Sequence, residues 1–82
     1  MDALNVKTLR ALEQVICVSE NLTDVQITQD TNKEILEIKN DFGQHTIMNC
    51  RMNSIGATIR QLCNHINRRT LFSYEPNYTI GM

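Results

Sequence analysis

Eighty-two residues, 41% hydrophobic and 21% charged with three glycines and one proline, describe a single small folded domain and exclude collagen-like, low-complexity and disordered chains. The longest apolar run, Val15-Ile16-Cys17-Val18, falls far below the roughly 20 residues that span a bilayer, and no basic leader precedes an apolar stretch, so a cytoplasmic protein with no membrane partner is expected. Eight basic and nine acidic residues leave a net charge of −1, and no bulk charge points to nucleic acid or membrane.

The first predicted element is a helix over residues 3–20. Asp2 or Asn5 offers an acceptor to the free amides of its first turn. Val6, Leu9, Leu12 and Ile16 then recur at helical steps, Val15 and Val18 widen the apolar side, and Asn21 suits a helix stop. After Asn21 the period becomes two. Thr23, Val25 and Ile27 face one side of a strand while Asp24, Gln26 and Thr28 face the other. Asp30-Thr31-Asn32 carries turn chemistry. A second strand over 34–39 turns Leu36 and Ile38 inward, and Asn40-Asp41-Phe42-Gly43 closes a hairpin through a positive φ at Gly43. The third strand, 44–52, is read with Met48, Cys50 and Met52 inside and Ile47 outside, because that choice hides fewer polar groups.

Asn53 or Ser54 caps a second helix, in which Ile55, Ile59, Leu62, Cys63 and Ile66 form an apolar stripe. Gly56 is expected to allow close packing on the sheet. Arg68 and Arg69 lie where cations favour the exposed carbonyls of a helix end, and Glu75-Pro76-Asn77 stops further regular structure. The expected fold class is therefore α+β, in the order α-β-β-β-α, with a three-stranded antiparallel sheet and both helices packed on one face. Residues 1–69 form that single domain, and residues 70–82 form an aromatic-containing C-terminal tail, docked or partner-binding.

Three distant cysteines, Cys17, Cys50 and Cys63, read as reduced, buried thiols rather than a disulfide framework. The close pairings His45 with Cys50 and Cys63 with His65 lack zinc-finger spacing, and strand alternation puts His45 and Cys50 on opposite faces. No Gly-rich phosphate loop and no convergent set of titratable groups is present. A non-enzyme is expected, with no cofactor, no metal and no catalytic residue.

The layout of charge says more than its total. Residues 13–41 hold Glu13, Glu20, Asp24, Asp30, Glu34, Glu37 and Asp41 against Lys33 and Lys39. Residues 42–74 hold Arg51, Arg60, Arg68 and Arg69 with no acid. Patches of one sign steer partners and set their register. The last residues concentrate aromatics (Phe72, Tyr74, Tyr78), which dominate binding hot spots together with Arg. Two contact regions are expected: Asp24, Glu34, Glu37 and Asp41 in one, and Arg60, Arg68, Arg69, Phe72 and Tyr74 in the other. A chain this short buries only about 60–65% of its unfolded surface, so a homo-oligomer is a further expected arrangement.

The helix–three strands–helix order over residues 3–69 is similar to that of double-stranded RNA-binding domains, which place basic residues at the start of the second helix against phosphates. Here that start reads Asn53-Ser54-Ile55-Gly56-Ala57-Thr58, without lysines, and the acidic first hairpin repels a phosphate backbone. The same order also resembles small phage-encoded anti-CRISPR inhibitors, which imply a protein that occupies a nucleic-acid site with clustered carboxylates. The arginine-bearing helix departs from that acidic pattern. The expected function is a small protein-binding module, a phage or mobile-element inhibitor or adaptor, with nucleic-acid binding through the second-helix arginines as the alternative.

Overall fold

The computed structural model describes residues 1–72. The elements run α1 (Val6–Glu20), β1 (Val25–Asp30), β2 (Ile35–Asn40), β3 (His45–Asn49) and α2 (Ile55–Arg68). The strands form one antiparallel sheet in the order β1-β2-β3, so the fold is α+β as the periodicities require. Among the described residues, no helix is long and apolar enough to cross a membrane.

Helix α1 begins at Val6, three residues later than the sequence pattern suggests, because residues 1–5 are held to other elements. Asp2 N donates to Asn53 O at 2.9 Å. The Gln29 side chain clamps Leu4 from both sides, donating to its carbonyl at 2.7 Å and accepting from its amide at 3.0 Å. Asn5 then caps the helix, its side chain accepting from Thr8 N at 2.8 Å. At the other end Asn21 takes the left-handed conformation, φ 56°, and returns its amide to Cys17 O.

The hairpin turns follow their side-chain chemistry. Asp30 Oδ1 accepts from Asn32 N at 3.0 Å and Lys33 N at 3.1 Å. Asn40 is buried yet bonded at both ends of its amide: its Oδ1 accepts from Phe42 N and Gln44 N, each at 3.0 Å, and its amide nitrogen donates to Gln44 Oε1 at 2.9 Å. Gly43 supplies the left-handed residue that closes this turn, at φ 82°. Strand β3 is shorter than the predicted 44–52. Asn49 Oδ1 accepts from Arg51 N at 2.9 Å and Cys50 O from Asn53 N at 3.0 Å, and this turn ends the ladder. Met52, expected inside, has a φ of 63° there and is thrown into solvent at 88% exposure.

Register puts Val25, Ile27, Leu36, Ile38, Met48 and Cys50 on one face of the sheet, and all six are buried. That face meets Leu9, Leu12 and Ile16 of α1 and Leu62 and Ile66 of α2 in a single core, so both helices cover the same side. The opposite face, with Gln26, Thr28, Lys39, His45, Ile47 and Asn49, lies open. Ile47 outside and Met48 inside agree with the sequence reading.

Three expectations about the helices are corrected. Val6, Val15 and Val18 are exposed, because α1 buries only the narrow stripe of Leu9, Leu12 and Ile16. Helix α2 is turned so that Thr58, Leu62 and Ile66 are its buried row, while Ile55 is exposed and Ile59 and Cys63 are half-buried. Gln61 explains this turn, since it accepts from Asn53 Nδ2 at 2.8 Å and donates to Asn49 O at 3.0 Å, pinning its side of the helix to the β3–α2 connection. Gly56 makes no close approach to the sheet: a Cβ there would meet nothing within 4 Å.

The core also extends past residue 69. Leu71 and Phe72 are buried in the same cluster, at 1% and 4% exposure. Phe72, expected on a docking surface, is instead core, because the chain folds back after the left-handed cap at Arg69. Tyr74 and the rest of the expected tail lie outside the described residues.

Candidate functional site

The acidic half of the sequence is largely consumed by the fold. Glu13 reaches from α1 to the free edge of β1, where its Oε2 accepts from Ile27 N at 2.8 Å while also pairing with Arg10. Glu34 pairs with the N-terminal ammonium of Met1 and accepts from Met52 N at 3.2 Å. Those donors hold its carboxyl below the ordinary carboxylate range. Glu37 lies on the open face of the sheet and accepts from His45 Nδ1 at 3.0 Å.

The four acids expected in one region are not brought together. Asp24 and Asp41 share one end of the hairpin, because continuing the β1–β2 register past Val25 and Asn40 sets them opposite each other. Asp41 accepts from Thr23 Oγ1 at 2.5 Å. Glu34 belongs to the turn at the far end of the same hairpin, a full strand length away, roughly 20 Å at about 3.4 Å per residue. Glu37 sits between, bonded across to β3.

The arginines behave differently. Arg60 and Arg68 project from the outward face of α2, and the helical repeat places Asn64 and Asn67 with them, at i, i+4, i+7 and i+8. All four are exposed. Among the described residues, no carboxylate lies within 4 Å of Arg60, Arg68 or Arg69. Arg69 serves the fold as well, as the left-handed C-cap of α2, its amide donating to Ile66 O at 3.2 Å. The Arg60 and Arg68 positions stand about 12 Å apart along the helix axis.

Beside Arg68 the last turns of α2 and Thr70 enclose an open cleft of ≈ 330 Å³, lined by Gln61, Asn64, His65, Arg68 and Thr70. Thr70 shapes it: its amide donates to His65 O at 3.0 Å, and its hydroxyl lies 2.7 Å from His65 Nδ1. The His65 carbonyl is thereby occupied, which removes one of the negative groups a helix C-terminus ordinarily presents. The lining contains donors and one fixed cation but no carboxylate. Such a cleft suits a carboxylate or another oxyanion, which the guanidinium binds through parallel N–H bonds. Sequence reading picked out Arg60 and Arg68 but missed Gln61, Asn64, His65 and Thr70. The polar row complementary to the apolar stripe of α2 was the available signal.

Burial pushes the Cys17 thiol up, reinforced by Asp24, Asp41 and Glu13, and burial likewise pushes Cys50 up. His45 is exposed on the outer sheet face and Cys50 is buried on the inner one, as alternation demands. Among the described residues, no three His, Cys, Asp or Glu side chains are grouped to hold a metal ion. No family model, curated protein or solved structure matches the chain.

Proposed function

We propose that this protein is a cytoplasmic, non-catalytic binding module, an inhibitor or adaptor that docks an acidic surface of another protein against the outward face of α2. Arg60, Arg68 and the cleft beside Arg68 carry the contact, and the Asp24–Asp41 end of the hairpin contributes a second, oppositely charged site. The observation that carries this reading is the asymmetry of charge use. Most acids of residues 13–41 accept bonds within the fold, whereas the α2 arginines have no carboxylate partner among the described residues. Keeping cations unneutralised on one face steers an anionic partner and fixes its orientation.

The arginine-bearing helix also supports the nucleic-acid alternative, since guanidinium groups bind phosphates. A protein partner is favoured because the molecule carries a net charge of −1 and its acids repel a phosphate backbone. The test is affinity capture from host lysate, with and without nuclease, by the wild-type chain and by the Arg60→Glu, Arg68→Glu double variant. Both positions are exposed, so circular dichroism is expected to be unchanged. The wild type should retain a nuclease-resistant protein that the variant loses. Equal capture by both chains overturns the proposal. Retention abolished by nuclease, with a duplex RNA gel shift that Arg60→Glu weakens, replaces it with the nucleic-acid reading.

A further inference from the structure

The rear of α1 carries an arrangement that the α2 site does not use. Lys7, Ala11, Gln14 and Val18 follow one another at i, i+4, i+7 and i+11 on the side away from Leu9, Leu12 and Ile16, with Val15 beside them. Val15 is 49% exposed and Val18 84%, although both are apolar and α1 is fully formed around them. Gln14, Val15, Val18 and Ser19 line a shallow apolar trough of ≈ 400 Å³. It adjoins a groove of ≈ 290 Å³ between α1 and the start of β1, to which Gln14, Val18 and Asp24 contribute.

Charge runs in one direction along this surface. Its N-terminal end carries exposed cations, Lys7 and Arg10, the latter paired to Glu13. Beyond its C-terminal end lie exposed Asp24 and, opposite it in the hairpin, Asp41. The rear row itself contains no acid.

We propose that a second copy of this chain packs on α1, antiparallel, with the two-fold axis beside Val15. In that arrangement each Ala11 faces the partner's Val18, the two Val15 side chains meet near the axis, and each Lys7 approaches the partner's Asp24–Asp41 pair. A two-fold interface requires a patch complementary to itself, and a helix that is cationic at one end, acidic beyond the other and uncharged between satisfies that condition only when antiparallel. The small Ala11 side chain permits helix axes within the usual 8–10 Å. Two short helices bury less than the roughly 1,200 Å² of a standard interface, so the dimer is weak and reversible. The outward face of α2 lies on a different helix and takes no part.

Sedimentation equilibrium over a range of protein concentrations tests the proposal, because it reads association independently of any partner. The weight-average mass of the wild type should rise from 9.4 kDa towards twice that value. Val18→Glu should remain monomeric with an unchanged circular dichroism spectrum, since the position is exposed. Lys7→Glu and Asp24→Lys should each weaken association about tenfold or more, because either substitution removes both symmetry-related charge contacts of the dimer. A one-to-one mixture of those two variants should restore it, because the mixed dimer again sets opposite charges at both ends. A wild type that stays at 9.4 kDa, dimerisation undisturbed by Val18→Glu, or a mixture no tighter than its components each overturns the proposal.

Discussion

Glu34 illustrates how much a single side chain owes to distant residues. It stands at φ 57° at the end of the β1–β2 turn, and its carboxylate gathers the Met1 ammonium and the Met52 amide. In the sequence it is one of seven acids in a run, and the docking expectation treated it as such. Its principal partner lies 33 residues away, a distance no local pattern spans. Because its folded-state pKa is depressed, its contribution to stability is fully present above the ordinary value of 4.5 and is lost as pH falls through the lower folded value. Urea unfolding over an acid series should therefore show the wild type losing stability more steeply than Glu34→Gln below pH 4.5, with the two curves converging. Parallel curves would remove Glu34 from the acid sensitivity. Thr58 is a second residue hidden from sequence reading: it is buried in α2 at a position the apolar stripe omits.

At the scale of elements, local chemistry was readable wherever it was self-sufficient. Asn21 as a left-handed helix end, the Asx turn at Asp30 and the Gly43 hairpin each depend on a few neighbouring atoms. The period of two also placed Leu36, Ile38, Met48 and Cys50 inside, because a strand between one covered and one open face has only two choices. The rotation of the helices was less legible, since a stripe of three buried residues lies within a broader apolar side and packing selects among them. Gly43 and Gly56 separate these effects. A Cβ at either position meets nothing within 4 Å, so any difference between them comes from backbone conformation alone. Gly43→Ala is expected to destabilise by about 1 kcal/mol, because φ 82° is strained for an L side chain. Gly56→Ala is expected to stabilise by up to about 1 kcal/mol through helix propensity. Chemical denaturation of the two variants checks both signs, and a destabilised Gly56→Ala would mean a contact with the sheet.

For the whole molecule, the decisive feature is that one core joins both helices, the inner sheet face and the residues just past α2. Phe72 belongs to that core, so Phe72→Ala should cost about 3 kcal/mol or more in urea unfolding. An unchanged midpoint accompanied by lost partner capture would instead return Phe72 to the docking surface. Composition and periodicity alone determined the class of fold, the order of its elements and most of the inner sheet face, because each follows from short-range sterics and from the two-sidedness of a strand. Which charges are free was decided only by the tertiary structure. Hydrogen bonds from other elements occupy Glu13, Glu34 and Glu37, while nothing comparable reaches Arg60 and Arg68. A charge is available to a partner only after the fold has met its own demands, and those demands are set by proximity in space, which spacing in sequence does not encode.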